Sequence, residues 1–400
     1  MVKKKVRRLK MAGKIMVACS ILLLVSFLVA GYYCFSNFSL FSSNHISEKE
    51  INTVTEKEKY PKKYSFDLLM VGDALIHSAI YEDALLSDGS YDFKPMLEYI
   101  KPISSKYDLA YYNQETILGG EDLDYSNYPR FNSPDEVGDA FIDAGFNLVS
   151  LATNHTMDKG EAGVLHSVHY WSSQKDVVWD GQRSSQEERE KVRIYECNGI
   201  KYAFFSYTTW TNGLETPVGK EYLNNVYSNE KAKNDIEKVK DKVDVIIVAM
   251  HWGVEYSTDV SQEQEMIANY LSSLGVNLII GSHPHVVEPV EYINDGKTLV
   301  IYSLGNFISD QVGIERLTGL MMEVTINKVE TENSTVVTVD NPKAEFIYTD
   351  SNYGRKRNFK VYPYSQLTES ILPNYMNYYN QYKNIVSSRY PELSFGLSRS

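Results

Sequence analysis

Cysteine is almost missing from this chain, with three in 400 residues. Only Cys197 follows Cys34, so no disulfide can form within the later part of the chain, and any fold there must stand on its core or on bound metal. Repeats of fixed period and low-complexity tracts are also absent, so the chain does not read as a repeat protein. Positive charge is in deficit: 40 Lys and Arg against 52 Asp and Glu give a net charge of −12. Seven of those cations (Lys3, Lys4, Lys5, Arg7, Arg8, Lys10 and Lys14) come before residue 15 with no acidic residue among them, and taking seven from −12 leaves −19 for the remainder. Such a balance excludes strong nucleic-acid binding.

Charge disappears altogether from Ile15 to Phe35. The run IMVACSILLLVSFLVAGYYCF is long enough to cross a bilayer as one helix, and the basic residues before it orient the N-terminus toward the cytoplasm. A cleavable signal peptide has the same basic and apolar regions, but Gly31-Tyr32-Tyr33-Cys34-Phe35 has no small-x-small cleavage site. The expectation is a cytoplasmic segment (1–14), a single-pass anchor in the cell membrane (15–35) and an extracellular remainder. Residues 36–63, polar and without hydrophobic periodicity, read as a stalk. A main domain follows over 64–345. A C-terminal extension covers 346–400, where Tyr375, Tyr378, Tyr379 and Tyr382 predict a helix packing back on the domain.

Inside the domain, short apolar runs alternate with helical periodicity. YSFDLLMV (64–71), YDLAYYN (107–113), FNLVSLA (146–152), KYAFFSYTTW (201–210), DVIIVAM (244–250), VNLII (276–280) and TLVIYSLGNF (298–307) predict strands. DEVGDAFIDAG (135–145) and residues 160–174, 229–243 and 261–275 predict helices, so the fold class is α/β. LMMEVTI (320–326) and STVVTV (334–339), with no helix between them, predict an antiparallel pair. His166 and His169 share one helical face, but with no carboxylate in a metal-site pattern they read as structural.

The apolar runs end in Asp73, Glu115, Asn154-His155, His251 and the pair His283 and His285. Gly281 is expected to break the last of these strands, and Pro284 stiffens the turn from which its two imidazoles project. Ligands of α/β sheets collect at the carboxyl ends of strands, so residues far apart in sequence meet there. A mixture of Asp, Glu, Asn and His suits Mn, Fe or Zn better than Mg or Ca, whose shells are all oxygen. Two such ions roughly 3.5–4 Å apart clamp a phosphoryl group.

The strings GD (72–73), NQE (113–115), TNHTMD (153–158), HWGVEY (251–256), GSHPHVVEP (281–289) and SLGNF (303–307), in this order, resemble the CapA family of capsule and poly-gamma-glutamate biosynthesis proteins. The resemblance spans about residues 64–310. It implies a fold similar to calcineurin-like metallophosphoesterases, a four-layer α/β/β/α sandwich, and membrane anchoring in bacteria. It also implies one or two divalent metal ions, held by Asp73, Glu115, Asn154, His251, His283 and His285. His155 matches the phosphoesterase histidine that protonates a leaving group or stabilises the transition state, and Asp158 is placed to orient it. Glu255 and Asn306 match family motifs and, with Arg130, are candidates for binding substrate; Arg130 also reads as a surface ion-pair residue. The pattern departs from phosphoesterases at D-x-H: Asp73 is followed by Ala74-Leu75, so one ligand is missing, and His77 lies two residues further on. The implied partners are an anionic envelope polymer such as polyglutamate and a membrane synthase complex. The functions left open are metal-dependent hydrolysis or transfer in polymer synthesis, export or anchoring; a non-catalytic polymer-binding or synthase-bracing subunit; and a general exported phosphodiesterase.

Overall fold

The structure, a computed structural model, describes residues 60–352 and 354–399. The expected cytoplasmic segment, the anchor and the stalk as far as residue 59 lie outside these residues. Among the described residues no helix is long and apolar enough to cross a membrane. The strands are β1 (Lys62–Ala74), β2 (Leu109–Gln114), β3 (Leu148–Ser150), β4 (Val178–Asp180), β5 (Tyr195–Cys197), β6 (Ile200–Thr208), β7 (Val245–His251), β8 (Leu278–Ser282), β9 (Val290–Ile293), β10 (Thr298–Ile301), β11 (Asn306–Ile308), β12 (Thr318–Glu330), β13 (Thr335–Asp350), β14 (Lys360–Pro363) and β15 (Ser394–Phe395).

They form two sheets. One runs β14-β13-β12-β1-β2-β3-β4, with β11 added beside β1 and β15 beside β13; the other runs β5-β6-β7-β8-β10-β9. The centres are parallel: β1 through β4 in the first sheet, and β6, β7, β8 and β10 in the second. Successive side chains of β1 alternate between two cores. Leu68 and Met70 join Ile247, Ala249 and Ile280 in a core between the sheets. Leu69 and Val71 face outward onto Val137, Ala140, Phe141 and Trp171 of the helices Glu136–Asp143 and Gly160–Ser173. On the far side, Ile246, Val248 and Met250 of β7 meet Ile236, Ile267 and Leu271 of the helices Asn229–Glu237 and Gln262–Ser273. Strands buried on both faces need apolar residues at nearly every position, which is why β7 reads VIIVAMH. Each such side chain contributes about 1.5–3 kcal/mol by leaving water.

Two sequence expectations are corrected here. Gly281 lies within β8 and does not end it. A Cβ there would stand 1.8 Å from the Tyr302 carbonyl, so glycine serves the close approach of two backbones. The run 298–307 is not one strand. β10 ends at Ile301 in one sheet and β11 begins at Asn306 in the other, so Ser303-Leu304-Gly305 carries the chain across, with Gly305 at φ 64. The antiparallel pair appears as β12 and β13, with β13 running through residue 345. A helix at Tyr375–Val386 puts Tyr382 and Val386 into the intersheet core.

Candidate metal centre

Strand register assembles the site. Asp73 at the end of β1 pairs with Asn113 of β2 on one side and Asn306 of β11 on the other. In the second sheet Thr208, His251 and Ser282 align across β6, β7 and β8. Apart from Asn306, which opens β11, these two rows lie at or near the carboxyl ends of parallel strands, where a sheet leaves side chains unpaired for chemistry. Gly72 makes the crowding tolerable, since a Cβ there would stand 1.8 Å from the Gly305 carbonyl. His283 (φ 96) and His285 (φ 61) both occupy positive φ on either side of Pro284, a conformation side chains adopt only when their surroundings compel it. The Pro284 carbonyl accepts from the Tyr256 amide at 2.8 Å, and the two imidazole centroids lie 5.9 Å apart.

Glu115 sits at the centre, 1% exposed, and neither of its carboxylate oxygens has a hydrogen-bond partner. Its Oε1 lies 3.8 Å from His251 Nε2 and 3.6 Å from His285 Nε2. Three overlapping groups have ligand atoms close enough to hold a cation: Glu115, His251 and His283; Asp73, Glu115 and His285; and Glu255, His283 and His285. An uncompensated buried carboxylate costs several kcal/mol or more, so a divalent cation fits what the surroundings lack.

The surrounding bonds orient the rings for that task. His251 Nδ1 lies 3.0 Å from Ser282 Oγ, whose hydroxyl donates to the Met250 carbonyl at 3.5 Å. His251 Nε2 is thereby left facing Asn154 Oδ1 at 3.0 Å and His283 Nδ1 at 3.1 Å. His285 Nδ1 lies 3.0 Å from Asn306 Oδ1, and the Asn306 amide donates to the Arg316 carbonyl at 2.8 Å and to Gln311 at 3.0 Å. Holding one imidazole nitrogen to present the other is the usual support for a metal ligand. Asn113 donates to Asp73 Oδ1 at 2.8 Å and accepts from Ser150 at 2.5 Å.

Burial, with repulsion from the neighbouring imidazoles, holds His251 well below its ordinary pKa and His283 down to about 3. Burial also pushes the Glu115 carboxyl up, against the pull of His285. His285 is the exception: burial opposes its charge, yet Glu115 and Asp73 carry it up to about 9. The proton of this buried pair belongs on the imidazole, which faces two carboxylates. A cation taking His285 Nε2 must displace that proton.

His155 stands beside this cluster, and its Nδ1 meets Asp158 Oδ2 at 2.7 Å. The same oxygen accepts from the Phe131 amide at 2.7 Å, while the Phe131 ring meets the imidazole edge to face at 4.7 Å. Asp158 is thus in hydrogen-bond contact with the His155 ring. His77 belongs to none of the three ligand groups; its Nδ1 is 3.1 Å from the Leu75 carbonyl, and burial holds its pKa down to about 4. Asn306, expected at substrate, has both ends of its amide engaged in supporting His285. Glu255 is exposed at the rim, and Arg130 is exposed on a cleft of about 630 Å³ that it shares with Asp158, Lys159 and Leu214. A larger cleft of about 710 Å³ holds Arg189 and Asp235, which pair with each other away from this chemistry. His166 bonds Asp135 at 2.8 Å, in keeping with a structural role.

The sequence reading passed over Asn113, Ser282 and Arg316 as participants. Asn113 carried a signal, since it lies two residues before Glu115 on the run that ends there; Arg316 carried none.

The family model of the bacterial capsule synthesis protein PGA_cap matches residues 67–311. Similar curated proteins include the PGA biosynthesis protein CapA of Bacillus subtilis, 29% identical over 206 residues that make up 50% of this chain and 52% of the relative. The capsule biosynthesis protein CapA of Bacillus anthracis is 26% identical over 265 residues, 63% of this chain and 62% of that protein. The chain therefore spans between half and two thirds of the length of these relatives. Similar solved structures include the calcineurin-like phosphoesterase YfkN of Bacillus subtilis (14% identity, 71% of this chain, 91% of that one, TM-score 0.44). A phosphatase of Mycoplasma pneumoniae is another (15% identity, 70% and 95%, TM-score 0.42).

Proposed function

The chain belongs to the bacterial capsule synthesis protein PGA_cap family, and from that membership we propose that it serves the synthesis, export or anchoring of an anionic capsule polymer such as poly-gamma-glutamate. Its work is done from the outer face of the cell membrane, with a membrane synthase complex as partner. The names of its two curated relatives support the polymer, and the basic segment before an uncharged run supports the location. The reaction is hydrolysis or transfer at a phosphoester or amide linkage.

The observation that carries the catalytic reading is Glu115, a buried carboxylate with both oxygens bare among three imidazoles. Glu115, His251, His283, His285 and Asp73 would hold a divalent ion, with the Asn154 side-chain oxygen beside them; the donor set suits Mn, Fe or Zn. A bound ion of this kind supplies Lewis-acid polarisation of a phosphoryl or acyl oxygen. His155, its Nδ1 fixed by Asp158, hands a proton to the leaving group from Nε2.

A second reading, a non-catalytic polymer-binding or bracing subunit, draws on Leu75, which stands where phosphoesterases have a ligand histidine. His155→Gln separates the two, because it keeps bulk but cannot exchange a proton near neutral pH. An enzyme should lose about 10²–10⁴-fold in rate, and surface polymer should fall steeply while metal content and Tm stay the same. Wild-type polymer in that strain contradicts catalysis. Topology has its own check: protease added to intact cells should remove the domain and leave a short protected N-terminal fragment, and full protection of the domain contradicts the expected orientation.

A further inference from the structure

Next to His285 the chain folds the Arg316 guanidinium over the Tyr256 ring, 3.9 Å from its centroid, and that ring lies 6.0 Å from the His285 ring. The backbone of Arg316 is pinned, because its carbonyl accepts the Asn306 amide that supports His285. The guanidinium is not matched in the same way. Its Nε is buried without a hydrogen-bond partner, and the Glu315 carboxylate stands 3.8 Å from it, on a side chain that is 48% exposed. Other cations near the pocket have closer partners: Lys159 donates to the Leu123 carbonyl at 2.8 Å, and Lys356 pairs with Asp310 at 2.6 Å. Stacking on an aromatic face leaves a guanidinium its planar N–H edge, the edge that matches two oxygens of an anion.

The charge of the pocket gives this residue a task. Three carboxylates, Asp73, Glu115 and Glu255, take part in the ligand groups of the cluster. An anionic substrate approaching them meets repulsion that a metal ion only partly removes. Arg316 lies on the Tyr256 side, over the ring that stands 6.0 Å from His285.

We propose that Arg316, braced on Tyr256, is the anion anchor of this pocket, taking a carboxylate or phosphate group of the substrate beside the group on which the metal cluster acts. The assignment rests on the reading of the cluster as a metal-dependent substrate site. It makes Arg316 and Tyr256 determinants of specificity for substrates with an oxyanion next to the reacting linkage.

The test uses the full-length protein loaded with Mn, titrated calorimetrically with inorganic phosphate in one arm and glutarate in the other. Arg316→Gln should weaken binding in at least one arm by about 10- to 100-fold, the worth of a charge-assisted hydrogen bond. The affected arm identifies the anion as phosphate or carboxylate. Arg316→Lys, which keeps the charge but not the fork, and Tyr256→Leu, which removes the brace, should each weaken the same arm by about 3- to 10-fold. They carry the test if the Gln variant does not fold. Metal content should be unchanged in all three variants. A metal-loaded wild type that binds neither anion, or variants that bind both as well as wild type, overturn the assignment alone. A wild type that takes up no metal overturns the underlying reading as well.

Discussion

Glu115 and Glu288 are both fully buried glutamates with bare carboxylate oxygens, and they deal with burial in opposite ways. Glu288 has no imidazole against it: Gln264 donates to Oε2 at 2.6 Å, Oε1 has no partner, and burial pushes the carboxyl up to about 8. It settles its charge by keeping a proton. Glu115 has neither oxygen hydrogen-bonded, yet His251, His283 and His285 turn ring nitrogens toward the same space. The difference is one of neighbours: at Glu288 burial outweighs the single Gln264 donor and favours a structural acid, whereas converging imidazoles at Glu115 favour a cation.

The strongest way to break this contrast is to remove the imidazoles. His283→Ala with His285→Ala should abolish metal binding and lower Tm, since ion binding is linked to folding. Unchanged metal stoichiometry would refute the ligand assignment.

A medium effect is expected at Glu288. Its folded pKa of about 8 lies above the ordinary 4.5, so between those values the native state holds a proton that the unfolded state has released. That contribution to wild-type stability therefore falls as pH rises through the window. Glu288→Gln keeps an acceptor for Gln264 and removes this fall. Denaturant melts of the metal-loaded protein should show the variant more stable than wild type above about pH 8, with metal content unchanged. A variant that follows the wild-type pH curve contradicts the assignment of the proton. The smallest effect belongs to exposed Arg130, where Ala should shift stability by less than about 0.5 kcal/mol and leave metal content alone. A larger shift in the melt would mean its cleft is built around it.

Sequence periodicity revealed the α/β alternation because β1, β2, β7 and β8 are short apolar runs ending in polar residues, which is how buried parallel strands look. The inner residues were legible for the same reason: Asp73, Glu115, Asn154, His251 and His283 each follow such a run. The crossing at Ser303-Leu304-Gly305 was hidden, since an apolar run does not say which sheet it joins, and Leu304 is as buried as the strands on either side. Gly281 misled because a glycine needed for close backbone approach looks the same in sequence as one that ends a strand. Asn306 was named as a substrate candidate, but its contact with His285 was out of reach, as was the Arg316 guanidinium over Tyr256, because neither strand register nor a cation over a ring has a periodic signature.

Metal content tests the central claim most directly. Full-length wild type, Glu115→Gln and Glu288→Gln are purified under the same conditions, loaded with Mn, Fe or Zn, and assayed by elemental analysis. Glu115 belongs to two of the three ligand groups and Glu288 to none. The account predicts bound metal in wild type and in Glu288→Gln, and its loss or sharp reduction in Glu115→Gln. Equal metal in all three proteins would contradict it.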